Sequence, residues 1–160
     1  VQKEIVFQNP KNQHLKPIIF MTTFKTWKEK PTELEAQKAV EDFFAYLKKG
    51  ELENAKNSVD HLYDDWEESI HVIWRDHYLI HEIAEDESFE GKEWLNNLEW
   101  LGNLDILDDF MWGDENENDT RYFDVSVTYM GEPSGFVAQF QLEKNNDDHY
   151  VVKRGLIDMA

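Results

Sequence analysis

A chain of 160 residues with 41% apolar and 14% aromatic content is long enough for one domain with one sizeable core, and too short for two comfortable ones. It has no cysteine, which excludes a disulfide framework, a thiolate metal site and a thiol nucleophile, and its net charge of −18 opposes a phosphate backbone. The longest apolar run, Pro17 to Met21, is far short of the roughly 20 residues of a membrane span, and no basic-apolar leader opens the chain; the sequence predicts a soluble, cytoplasmic protein without a membrane partner.

Residues 1–30 are mildly basic and hold two β-prone pieces, Glu4 to Phe7 and Ile18 to Phe24, on either side of an Asn9-Pro10-Lys11-Asn12 turn. They predict an N-terminal extension that forms an edge strand or a hairpin. Pro31-Thr32-Glu33-Leu34-Glu35 is a helix start, with Thr32 as cap and Glu35 three residues on to complete a capping box. Ala36, Ala39, Val40, Phe43, Phe44 and Leu47 then form one apolar stripe, and Lys48-Lys49-Gly50 closes the helix. A second helical pattern starts at Glu51 with Leu52, Ala55 and Val59, and either breaks or continues at Asp60. Leu62, Trp66, Ile70, Ile73, His77 and Ile80 keep the same spacing, which predicts a helix to about Ile83, although His71 to Ile80 is also rich enough in β-formers to be a strand.

Glu82 to Glu90 reads as an acidic loop. Phe89, Trp94, Leu98 and Leu101 fit a short helix closed by Gly102, and Leu104, Ile106, Phe110 and Trp112 alternate with Asp105 and Asp109 as one further strand. The last third reads as a three-strand antiparallel meander. Arg121, Phe123, Val125, Val127 and Tyr129 alternate with Tyr122, Asp124, Ser126 and Thr128, then a turn spans Gly131 to Gly135. Phe136, Ala138, Phe140 and Leu142 line one face of the second strand; after Asn145-Asn146-Asp147-Asp148, Tyr150 to Ile157 makes the third. The fold class is α+β: N-terminal helices packed on a curved antiparallel sheet of at least four strands.

This order resembles the nuclear transport factor 2-like superfamily, also called SnoaL-like or cystatin-like, from about Thr32 to Asp158. The resemblance lies in the first helix ending Lys48-Lys49-Gly50-Glu51-Leu52-Glu53 before a second short helix, and in the closing strands Phe140-Gln141-Leu142-Glu143-Lys144 and Tyr150-Val151-Val152-Lys153. It implies a cone made by helices lying across a bent sheet. It leaves function open, because that architecture hosts enzymes, transport factors and binding modules.

Chemistry-bearing motifs are sparse. His77 and His81 share a helix face near Glu82 and Glu85, but two ligands do not close a zinc site. Asp114-Glu115-Asn116-Glu117-Asn118-Asp119 starts like a calcium loop and then fails, with Asp119 where glycine is needed and Val125 where a bidentate Glu is needed. No metal, cofactor or catalytic residue is therefore assigned.

Charge is the informative feature. From Asp60 to Asp119 there are 20 acids against two bases, Arg75 and Lys92, whereas the other 100 residues hold 14 of each. Five of the six tryptophans, Trp66, Trp74, Trp94, Trp100 and Trp112, fall in the same block, most of them expected in the core. Clustered acids repel one another unless a basic partner offsets them, and such charge also steers a partner in. The leading expectation is an acidic inhibitor that neutralises a cationic protein, of the bacterial immunity-protein type, blocking a toxin nuclease. Its partner-binding residues would be Asp64, Asp65, Trp66, Glu67, Asp108, Asp109, Trp112, Asp114 and Glu115, acids set beside aromatics. Two alternatives stand beside it. One is a SnoaL-like binder or enzyme using the cone interior, with His77 or His81 as base beside Asp64 or Asp65; the other is a homodimerisation module that exposes Val137 and Val151 on the outer sheet face.

Overall fold

In the computed structural model, which describes residues 2–6, 17–21, 24–80 and 91–160, the first helix starts at the predicted cap. Thr32 Oγ1 accepts from the Glu35 amide at 3.1 Å and the Glu35 carboxylate accepts from the Thr32 amide at 3.1 Å, so α1 (Glu33–Lys48) opens on a complete capping box. The bond from the Thr32 amide, followed by the Thr32 side chain, holds the Glu35 carboxyl below its usual range. Thr32→Ala should lower stability by about 1 kcal/mol in urea unfolding, and a loss of only a few tenths would show that the box contributes nothing. Ala36, Val40, Phe43, Phe44 and Leu47 are buried along one stripe, and Gly50, at φ 75°, ends the helix in the left-handed region. A short α2 (Leu52–Ser58) follows and buries Ala55.

The helical pattern breaks at Asp60 rather than continuing. Asp60–His61 form a short strand, and Leu62, expected on the apolar stripe, is 38% exposed. Helix α3 (Trp66–Ile80) then carries Ile70, Ile73 and Trp74 into the core, so the β-rich stretch from His71 is helix. The expected end near Ile83 and the acidic loop Glu82 to Glu90 lie outside the described residues. Beyond them, a 3-10 turn (Glu93–Asn96) and α4 (Leu98–Gly102) stand in place of the single short helix. Asn97 interrupts it: its Oδ1 accepts from the Trp100 amide at 3.0 Å and restarts the helix in a new phase. Trp94, Trp100 and Leu101 turn inward and Leu98 points out, 64% exposed.

At the N-terminus β1 (Gln2–Val6) and β2 (Pro17–Met21) pair antiparallel with Gln2 opposite Met21, the hairpin of the two expected forms. The Asn9 to Asn12 turn lies outside the described residues. The main sheet comprises β3 (Thr26–Trp27), β4 (Asp60–His61), β5 (Leu104–Ile106), β6 (Met111–Trp112), β7 (Arg121–Tyr129), β8 (Glu132–Lys144) and β9 (Tyr150–Met159). Its order is β3-β9-β8-β7-β5, with β4 parallel on β9 and β6 antiparallel on β7. The strand expected from Leu104 to Trp112 is thus two, because Leu107, Asp108 and Asp109 are exposed on a connection that leaves the sheet.

The turn between β7 and β8 is tighter than Gly131 to Gly135. Met130 and Gly131 alone make it, with φ of 54° and 81°, the left-handed pair of a type I′ hairpin. Pro133 already sits in β8 opposite Thr128, and β9 has ended by then, opposite Phe136, so no neighbour needs its missing amide. Register shifts at Ser126/Thr128 and at Ala138/Phe140 bend the strands. At the second, a Cβ on Gly155 would stand 3.1 Å from the Gln139 carbonyl, a tight approach that the strand would have to ease by a few tenths of an ångström. The result is the expected α+β arrangement, helices on a curved sheet, here of seven strands among the described residues and not closed into a barrel. Helix α1 fills the concave face: the Phe43 ring meets Phe44 at 5.1 Å and Phe140 at 6.2 Å, both edge-on. Among the described residues no helix is long and apolar enough to cross a membrane.

Candidate functional site

Strand register fixes where the acids go. Trp112 pairs with Phe123, Phe123 with Phe140, Phe140 with Arg154, and Arg154 with His61, so one row crosses the sheet from β6 to β4. The expected partner-binding residues cluster at the two ends of that row. Asp64, Asp65, Trp66 and Glu67 follow β4, whereas Asp108, Asp109, Trp112, Asp114 and Glu115 flank or form β6. Four strand spacings, about 19 Å along the sheet, separate the two groups. They form two acidic edges rather than one patch.

At the β6 edge Asp108, Asp109, Asp114 and Glu115 are exposed and Trp112 is half-buried. The Trp112 ring is clamped on both faces. Phe123 stacks on one side at 4.1 Å and 12°, and the Arg121 guanidinium lies 4.6 Å from the ring centroid. Its Nε1 donates to Gln37 at 2.8 Å, so Trp112 ties β6 and its flanking loops to α1. Glu115 is ion-paired with Lys30, and Asp105 with Lys48 at 2.8 Å; Asp108, Asp109 and Asp114 make no ion pair among the described residues. A groove of about 320 Å³ lies here, with Glu41, Asp105 and Asp108 around Ile106 and Phe110. Three carboxylates beside two apolar side chains suit an aliphatic chain that ends in a cation.

At the β4 edge Asp64 is exposed and Asp65, Trp66 and Glu67 are half-buried around a smaller groove of about 250 Å³. Lys92 lies 2.5 Å from Glu68 and 4.0 Å from Glu67, and its hydrogen bond holds the Glu68 carboxyl below its usual range. Asp65 is committed elsewhere: its Oδ1 accepts from Arg154 Nη2 at 2.6 Å. Arg154 itself was not among the expected residues, yet it is fully buried. It also donates from Nε to His61 Nδ1 at 2.9 Å, from Nη2 to the Tyr63 carbonyl at 3.0 Å and from Nη1 to the Gly155 carbonyl at 2.6 Å. The sequence held a signal for it, since alternation from Tyr150 and Val152 puts residue 154 on the core-facing phase, where an arginine must be paired.

The remaining tryptophans pack as expected. Trp74, Trp94 and Trp100 are buried, and Trp100 meets Trp74 edge-on at 5.1 Å. Phe43, Phe44, Phe123 and Phe140 are packed together in the hydrophobic core that joins α1 to the sheet. Of the histidines in the small-molecule alternative, His77 is placed only by the backbone of α3, and His81, Glu82 and Glu85 lie outside the described residues. On the outer face Val151 is fully buried and Val137 half-buried, so neither offers the exposed apolar surface that dimerisation through the sheet would need. No family model, no curated protein and no solved structure matches this chain.

Proposed function

We propose that this protein binds and neutralises a cationic protein, and that within this class it acts as an immunity protein, blocking a toxin nuclease in the cytoplasm. The observation that carries the reading is the segregation of charge, 20 acids against two bases between Asp60 and Asp119, together with the exposure of Asp108, Asp109 and Asp114 beside a groove lined by Glu41, Asp105 and Asp108. A scaffold of the nuclear transport factor 2-like type is part of the proposal. The β6 edge is the primary contact, because its acids are exposed on loops already fixed by Trp112, whereas Asp65 at the β4 edge is held by Arg154. These carboxylates would sit where the nuclease's lysines and arginines receive nucleic acid, and so exclude it.

The test is capture from a lysate of the source cells at low and at high salt, with mass spectrometry of the eluate. A single basic nuclease released by salt supports the reading; no partner at either salt sinks it. With that partner in hand, the double variant Asp108→Lys, Asp109→Lys should slow association about tenfold or more at low salt and flatten its salt dependence. Asp64→Lys should have the smaller effect. Equal effects of the two changes would shift the contact to the whole acidic surface.

A further inference from the structure

Among the described residues Arg154 is the one lysine, arginine, aspartate or glutamate that is fully buried, and its contact to His61 fixes the protonation of that ring. An arginine Nε can only donate, so His61 Nδ1, 2.9 Å away, must be a bare acceptor. A carbonyl can only accept, so His61 Nε2, 2.6 Å from the Lys56 carbonyl, must carry the proton. Both ring nitrogens are thus committed, and the ring is neutral. A second proton would have to sit on Nδ1, against the N–H of a guanidinium.

The same arginine tethers the segment between β4 and α3. The Leu62 amide donates to the Arg154 carbonyl at 3.0 Å, the Tyr63 carbonyl and the Asp65 carboxylate accept from its guanidinium, and β4 pairs with it directly. Leu62, Tyr63 and Asp64 are otherwise exposed. We propose that His61 and Arg154 form a proton-operated latch: protonation of His61 parts it from Arg154 and releases residues 60–65 from β9 while the rest of the sheet stays folded.

The surroundings of His61 favour the neutral ring. Burial lowers its pKa most, and the charges of Arg154 on β9 and Lys56 on α2 lower it further; the Lys56 carbonyl and the neighbouring Asp60 pull the other way without winning. From α1 the ring meets only the uncharged Phe43, at 6.5 Å, and the Asp65 charge is directed to Arg154. The sign follows from linkage. The open segment takes up a proton near the ordinary value of 6.5 and the latched one only lower, so the latch is at full strength above that pH and weakens as pH falls towards the latched value. Each pKa unit between the two states corresponds to about a tenfold rise in opening.

The experiment is an NMR titration of the full chain from about pH 8 to about pH 5, following the His61 ring nitrogens and amide exchange along the chain. The expected result is an Nε2–H tautomer at the upper end, a titration below the ordinary histidine range, and exchange of the Leu62 amide, which donates to the Arg154 carbonyl, rising above the base-catalysed trend by about tenfold for each unit that His61 titrates below its ordinary value. The amides of Val125 and Phe140 stay protected. In His61→Gln, whose amide can accept from Arg154 and donate to Lys56 at any pH, that excess opening should vanish. An ordinary His61 titration with no excess opening overturns the latch, as does the same excess opening in His61→Gln.

Discussion

Replacing Arg154 by alanine is expected to cost about 3 kcal/mol of folding stability, the low end of the range for breaking a buried ion pair. The guanidinium serves four acceptors: His61 Nδ1, the carbonyls of Tyr63 and Gly155, and the Asp65 carboxylate. Removal leaves them without their donor and opens a cavity beside Phe140, its cross-strand partner. The loss stops short of the upper range because the Asp65 side chain is 40% exposed and can recover water. Asp65→Asn should for the same reason cost no more than about 1 kcal/mol. Urea unfolding at constant slope measures both. If the two variants lose the same amount, the Asp65 pair is the whole interaction and the hub is a simple surface salt bridge.

The break at Asp60 was one of two outcomes that the sequence left open, and Arg154 bears on which of them occurs. Apolar spacing alone allows the helix either to stop or to run on there, and the contact that accompanies the stop comes from a side chain 93 residues further on, Arg154, paired with His61 across β4 and β9. Features set by neighbouring residues were legible: the Thr32 to Glu35 capping box, the Phe43 stripe and the alternation of β7 and β8 all read directly from local chemistry. Phase errors came from single side chains. Asn97 restarts a helix and exchanges Leu98 for Trp100 on the buried face, and the exposed Leu107 to Asp109 connection divides one expected strand into two. The acids were legible as a density along the chain, and their separation onto two edges was not, because it depends on strand order.

Trp94→Ala should cost about 3 to 5 kcal/mol, and Trp94→Phe about 1 kcal/mol or less. The ring is fully buried on the 3-10 turn, 6.3 Å from Trp100, which in turn packs against Trp74 and Tyr129. Alanine removes that volume outright. Phenylalanine keeps most of it and removes an indole N–H that is buried with no acceptor among the described residues, and an unmet donor costs about 1 to 3 kcal/mol, which offsets the smaller cavity. Urea unfolding decides between these terms, and equal losses for the two variants would show that the orphaned N–H costs nothing. The comparison also bears on recognition, because neither change alters the net charge. If Trp94→Phe retains full affinity for a cationic partner while the Asp108 and Asp109 reversal loses it, the coincidence of acid and indole in this sequence has two separate causes. In that outcome the buried indoles fill the space between α3, α4 and β7, and the carboxylates at the β6 edge answer for the binding.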